Sequence, residues 1–170
     1  MKEGVGGFIV FMSIFSSIGF VILGLGLWNA WQSRRASYWP VTPCQFSELA
    51  LKEHRGDGDG ATTHGVEVRF TYDVGGVEYE GTVLAFGYAP SIGVAAHEEI
   101  YRKLKGANLV SARYNPANPA ESCLSYGISK SILSNFIFSG IWLALSAGAT
   151  CLYWLCFWGE DVLLRNLSIG

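Results

Sequence analysis

A chain of 170 residues that is half hydrophobic but only 15% charged, against about 25% in an ordinary soluble domain, has room for one domain with appendages. The deficit is local: no Asp, Glu, Lys or Arg falls between Gly4 and Ser33 or between Ser131 and Gly159, whereas residues 34–130 hold 10 basic and 11 acidic residues. That near-neutral middle excludes an electrostatic case for nucleic acid, and at roughly 95 residues it holds one small core.

The first apolar run, 5–31, ends in Trp28 and Trp31 followed by Arg34-Arg35. It exceeds both the apolar core of a signal peptide, about 7–15 residues, and the ~20 residues that cross a bilayer. The reading is a retained transmembrane helix with Trp at the interface. Gly19, Gly24 and Gly26 allow close helix packing there.

From 38 to 126 the pattern is that of a small β-rich domain. Cys44 to Leu51 reads as a first strand, with Pro43 confining its start to an edge or first position. Lys52 to His64 reads as a polar, solvated loop. Asp57 and Asp59 suggest calcium, but no ligand follows at the fifth position and Val68 stands where a loop Glu is needed.

The stretch 66–85 reads as one hairpin. Apolar residues alternate through Val66, Val68, Phe70, Tyr72 and Val74. After Gly75-Gly76 they alternate again through Val77, Tyr79, Gly81, Val83 and Ala85. Two residues free to take positive φ between two period-2 runs predict a two-residue turn. The register then pairs Val74 with Val77, Tyr72 with Tyr79, Phe70 with Gly81 and Val68 with Val83. On the polar face Arg69 lies diagonal to Glu80, and Asp73 opposes Glu78, a like-charge pair.

Residues 94–105 read as a helix whose stripe is Ala96, Ile100 and Leu104 with His97 and Tyr101 beside it, placed over the hairpin's apolar face. Glu98–Arg102 and Glu99–Lys103 are i,i+4 pairs, and Gly106 ends the helix. Leu109 to Tyr114 reads as a strand, Asn115-Pro116-Ala117-Asn118-Pro119 as a double turn, and Ser122 to Tyr126 as a last strand.

The second apolar run, 132–158, reads as a second span. Gly140, Ala144 and Gly148 recur every four residues and form a helix-packing strip. It is assigned first to the span within the chain, with a homo-oligomer or a partner's helix as the other reading. A short tail, 160–170, carries Val162, Leu163, Leu164 and Leu167 and reads as an interfacial turn of helix. The fold class is therefore membrane α+β: two transmembrane helices flanking an antiparallel sheet or partial barrel of about five strands with one short helix.

Near the spans, Arg34, Arg35 and Lys130 lie on the domain side against Lys2 and Arg165 on the terminal side, which favours a cytoplasmic domain. Cys44 and Cys123 give the opposing argument: if the first and last strands are neighbours, a disulfide there requires an oxidising compartment. Two separate core thiols are the alternative. Cys151 and Cys156 read as apolar packing residues of the second span. No cofactor motif is present. His54 and His64 flank the polar loop without a third metal ligand, and Glu78 and Glu80 share a face as ordinary exposed carboxylates.

From Tyr38 onward the chain resembles a family of small bacterial membrane proteins known as domain of unknown function 3592. The resemblance rests on Trp39-Pro40, on the hairpin pattern from Val68 to Gly81, and on Tyr114-Asn115-Pro116-x-Asn118-Pro119 with Leu124. It implies a small β-rich domain beside membrane helices and carries no activity. Trp39, Phe70, Tyr72, Gly76, Tyr79, Gly81, Tyr114, Asn115, Pro116, Asn118 and Pro119 then read as architectural. Pro43-Cys44 and Cys123 depart from the pattern, which raises the disulfide reading. The expected function is a non-enzymatic, membrane-anchored interaction module in a bacterial inner membrane, in contact with membrane lipid and with a protein partner or a second copy through the second span or a sheet edge. An immunity protein against a toxin is the concrete version; a ligand-binding sensor or accessory subunit of an envelope or transport complex is the alternative.

Overall fold

The computed structural model describes residues 2–55 and 61–166, with side chains over 5–55, 61–156 and 165–166. In chain order the elements are α1 (Lys2–Ala36), β1 (Val41–His54), β2 (Thr63–Val74), β3 (Val77–Gly81), α2 (Val94–Lys105), β4 (Val110–Asn115), β5 (Asn118–Cys123) and α3 (Lys130–Arg165). They form two compact units, a helical one (Met1–Gly26 with Ser134–Gly170) and a mainly β one (Leu27–Leu133).

α1 and α3 are long and apolar enough to cross a membrane, over Val5–Ala36 and Lys130–Cys156. In the helical unit their contact follows a seven-residue repeat. Met12, Gly19 and Gly26 are buried on α1, and Ser139 and Ser146 on α3. A period near 3.5 keeps one stripe facing its partner, and small residues let backbones approach. A Cβ on Gly19 would stand 2.9 Å from both Leu143 and Trp142, and one on Gly26 would stand 3.2 Å from Phe136. Aromatic rings flank the seam. Phe8 stacks on Tyr153 at 3.7 Å, Phe15 on Trp142 at 4.2 Å, and the Trp142 indole donates to the Phe15 carbonyl at 2.7 Å. The two buried serines satisfy themselves on the preceding turn, Ser139 to the Phe136 carbonyl and Ser146 to that of Trp142.

The strip of Gly140, Ala144 and Gly148 does not pack on α1, as expected first. A Cβ at Gly140 or Gly148 would meet nothing within 4 Å, and Ala144 is exposed. The seam of Ser139, Trp142, Leu143 and Ser146 takes the facing side and turns the strip outward. The tail is not a separate element either, because α3 runs on to Arg165. The side chains of Val162, Leu163 and Leu164, and Leu167 itself, lie outside the described residues.

The sheet has the order β3-β2-β1-β4-β5, with every neighbouring pair antiparallel. The hairpin is as the alternation predicts: Val74 pairs with Val77, Tyr72 with Tyr79 and Phe70 with Gly81. Gly75 and Gly76 take φ of +65° and +86°, which a type I′ turn requires. The Asp73 carboxylate accepts the Gly76 N–H at 2.9 Å, a role that offsets its place opposite Glu78. The predicted Val68–Val83 pair does not form. After Gly81 the chain leaves β2 and joins the end of β5: Leu124 and Ser125 donate to the carbonyls of Val83 and Leu84, and Ala85 bridges Ser125 in parallel. The sheet thus curls until its outer strands meet, with the Tyr72 hydroxyl bonded to the Pro119 carbonyl at 2.6 Å across the closure. A helix between β3 and β4, with β3 and β5 as parallel neighbours, is the connectivity of the OB fold, a partly open five-stranded barrel.

Phe70, Tyr72, Val68, Val66, Cys44, Leu84 and Ala112 form the barrel core. α2 covers it with Ile100, Tyr101 and Leu104. His97, the one buried α2 residue, completes that stripe at i, i+3, i+4 and i+7, while Ala96 is exposed. The Glu99–Lys103 pair forms at 2.8 Å. Gly81 has no room for a side chain, since a Cβ would collide with the Phe70 ring and the Ser122 hydroxyl. A second, smaller core gathers Ala36, Trp39 and Cys123 with Val83 and Phe86.

β1 is longer than expected, and so is β2. Their ladder runs to His54–Thr63, leaving only a short connection in place of the loop 52–64. Asp57 and Asp59, the calcium candidates, lie outside the described residues. Pro43 is not at an edge but in the central strand. The Tyr114 N–H bonds the Pro40 carbonyl, so alternation aims Thr42 and Cys44 at β4 and aims Pro43 at β2. There the β1–β2 ladder begins only at Cys44–Tyr72. The Thr42 hydroxyl donates instead to the Asp73 carbonyl that a residue with an N–H at 43 would face (3.0 Å). The double turn is a single one. Asn115 pairs with Asn118 around Pro116-Ala117, and Pro119 lies within β5.

The Cys44–Cys123 disulfide is not formed; both thiols are free and buried. β4 separates their strands, and they face opposite sides of the sheet, Cys44 the barrel core and Cys123 the smaller one. Bridging needs Cα atoms within about 7 Å and Cβ vectors that converge, and this placement gives neither.

Candidate functional site

A polar cluster in the β unit joins the segment 85–93 to β2 and α2. His97 reaches the Tyr88 hydroxyl with Nδ1 at 2.6 Å and the Ser91 hydroxyl with Nε2 at 2.7 Å. The Tyr88 oxygen accepts the Val66 N–H at 2.9 Å, and Ser91 exchanges backbone bonds with His64 at 2.8 and 3.0 Å. One tautomer satisfies every group: Tyr88 donates to Nδ1, and Nε2–H donates to Ser91. In that state Ser91 accepts a hydrogen bond rather than losing its proton to a base, so the serine is not activated as a nucleophile. Burial, and then the nearby His64, push the His97 pKa down, which keeps the ring neutral. The cluster clamps a turn-rich segment to the sheet. Sequence reasoning placed His97 beside the helix stripe and gave Tyr88 and Ser91 no role. Tyr88-x-Pro90 beside a helical His was the available signal.

The outer face of β1–β3 is an ion-pair lattice. Arg69 Nη1 meets Glu80 at 2.5 Å and its Nε meets Glu48 at 3.7 Å; Lys52 meets Glu67 at 2.5 Å. These groups are exposed. The lysine's hydrogen bond to Glu67 raises its pKa, and the same bond lowers that of Glu67. Glu80 is therefore engaged by Arg69, while Glu78 stands opposite Asp73. His54 and His64 do not converge. His54 approaches Glu67 at 3.6 Å and His64 approaches Glu53 at 3.7 Å; with period 2 these pairs fall on opposite faces of the ribbon. Among the described residues no three His, Cys, Asp or Glu side chains are grouped to hold a metal.

The motif residues are structural parts. Tyr79 stacks on Tyr72 with centroids 6.0 Å apart, and Trp39 meets Phe86 edge-on at 5.7 Å. Buried Asn115 donates to Glu121 at 2.6 Å and accepts the Ala117 N–H at 3.0 Å, closing the turn at Pro116. Tyr114 lies half-buried against the barrel core. Among the described residues the buried Ser122 hydroxyl makes no well-formed hydrogen bond. Arg113 fixes the start of the barrel by donating to the Ser37 and Trp39 carbonyls.

A cleft of about 400 Å³ opens between β2 and the segment 82–90, lined by Val66 to Arg69, Thr82 to Ala85, Tyr88 and Pro90 among others. It occupies the gap left where β3 departs from β2 after Phe70–Gly81.

Comparison with curated proteins and with solved structures finds no match. A family model described as "Domain of unknown function (DUF3592)" matches residues 42–129, which runs from the second residue of β1 to the last residue before α3. The match holds the closed sheet, its helix and the Asn-Pro turn together, and the chain belongs to the DUF3592 family.

Proposed function

We propose that this chain is a non-enzymatic, membrane-anchored binding module that crosses a bacterial inner membrane twice and holds its barrel on the cytoplasmic side. The observation that carries the reading is the engagement of the chemically capable side chains in holding the fold. His97, Tyr88 and Ser91 clamp one segment, Arg69 and Glu80 pair on the surface, and Asn115 closes a turn. Two apolar helices at the ends of the barrel support an anchored arrangement, and Arg34, Arg35 and Lys130 beside it support a cytoplasmic face. The outer face of β2 and β3 carries Glu67, Asp73, Glu78 and Glu80 against Arg69, which disfavours a phosphate backbone despite the OB-type connectivity; fold alone assigns no ligand.

The concrete form of this reading is an immunity protein that protects its host from a toxin. Co-expression with toxins from adjacent loci tests it, and survival no better than that of the empty host overturns it. The module itself is tested by photo-crosslinking in cells from exposed barrel positions such as Leu109. A discrete partner adduct is expected. A cellular phenotype lost on His97→Gln or Glu80→Gln, with folding intact and no adduct, would restore an enzymatic reading.

A further inference from the structure

The cleft beside β2 has a chemistry that selects its occupant. His64 main chain is paired to Ser91 and Phe70 main chain to Gly81. Residues 64, 66, 68 and 70 present their backbone groups toward the same side by alternation. Of these, the Val66 N–H is held by the Tyr88 hydroxyl, which stands where a neighbouring strand's carbonyl would stand. Among the described residues the Val66 carbonyl and both main-chain groups of Val68 have no hydrogen-bond partner, and alternation turns them to the cleft. A donor and two acceptors, spaced along an extended strand, match another extended backbone and little else.

We propose that this cleft takes an extended peptide segment of a partner protein, paired to β2 between Val66 and Arg69 as a short substitute for the missing length of β3. This rests on the reading of the chain as a binding module and names the partner's chemistry. About four residues fit, at ~3.3 Å each. Side chains turned inward meet Val83, Leu84 and Val68 and are apolar. Those turned outward meet the lattice in which Glu48, Glu67 and Glu80 share Arg69 and Lys52, three carboxylates to two cations, so a basic residue fits the rim. An alternating apolar–basic segment satisfies both faces.

The test uses the full chain in detergent and a fluorescein-labelled, end-capped Val-Lys-Val-Lys-Val-Lys peptide, followed by anisotropy. Edge pairing aims only every second N–H at β2. N-methylation of one alternate set of residues is therefore expected to weaken binding at least tenfold, and methylation of the other set to leave it within about twofold. Thr82→Trp, at an exposed position on the cleft wall, is expected to block binding with the melting temperature unchanged, and Glu67→Lys to weaken it. Equal sensitivity to both methylated sets, full binding by Thr82→Trp, or no binding of the parent peptide would each overturn the assignment. A crosslinked partner that persists in cells after such a result would remove the cleft and leave the module standing; loss of both would remove the module as well.

Discussion

The two units of the chain solve packing in opposite ways. Among the described residues of the helical unit the buried positions are small, Met12 excepted. Gly19, Gly26, Ser139 and Ser146 lie at the seam, and large side chains stand beside it. In the β unit the core is centred on large side chains, Phe70 and Tyr72, and Gly81 stands where the Phe70 ring needs the space. Apolar surface gains little by meeting apolar surface in a lipid-like setting, so close backbone approach is the available stabilisation. In water, removing area from solvent is the main one, at roughly 25 cal/mol per Å². A single sequence carries both solutions, and the difference fits a helical unit that meets lipid and a β unit that meets water.

The contrast breaks most visibly in the barrel. Phe70→Ala removes a fully buried ring and is expected to cost about 3–5 kcal/mol, read by denaturant titration of barrel tryptophan fluorescence, while far-UV helical signal persists. The reverse experiment overfills the seam. Gly19→Leu drives a side chain into Leu143 and Trp142 and is expected to cost about 1–3 kcal/mol, measured as a lower melting temperature in detergent. Gly148→Leu on the outward strip is the matched control and is expected to change that temperature by no more than a surface substitution does. A fall as large as that of Gly19→Leu would mean the strip is buried in the native assembly.

The His97 clamp predicts a dependence on pH. Its folded pKa lies below the ordinary histidine value, so the unfolded chain binds the proton more readily. The stability it contributes is present above about pH 6.5 and is lost as pH falls through the folded value. Melting curves from pH 8 to pH 5 should show this loss, and His97→Gln should flatten it. The ion pairs of Glu67 on the outer face and of Glu99 on α2 lower these two pKa values and act in a more acidic window. The smallest effect belongs to Arg69→Met. Its partners are exposed, and exposed pairs hold little stability, so the melting temperature should move within error at high and low salt alike.

The hairpin was readable from residues because two local signals agree: period-2 alternation fixes faces, and Gly75-Gly76 fixes the turn. The predicted α2 limits, 94–105, match its observed ends for the same kind of reason. What escaped was non-local. Nothing in the period of Val77 to Ala85 says that pairing with β2 stops at Gly81 and passes to Leu124 and Ser125. Pro43 reads as an edge or first-position residue until Thr42 is seen to supply the missing donor. The helix seam was hidden because the eye follows Gly140, Ala144 and Gly148 at intervals of four, whereas the contact runs at intervals of seven. The cysteines invited pairing because they lie in the first and last strands; strand order and facing separate them. The cleft was illegible in principle, since a gap in a ladder has no composition.

The burial of Cys44 and Cys123 has a practical side. Both thiols are pushed up to about 11, and only the thiolate attacks a maleimide. A labelling assay of the native chain would therefore be nearly silent at these two positions. Silence there is useful as background: with the exposed Cys151 and Cys156 replaced, a cysteine placed at Leu109 or Ile92, which are 78% and 68% exposed, would report which compartment the barrel faces.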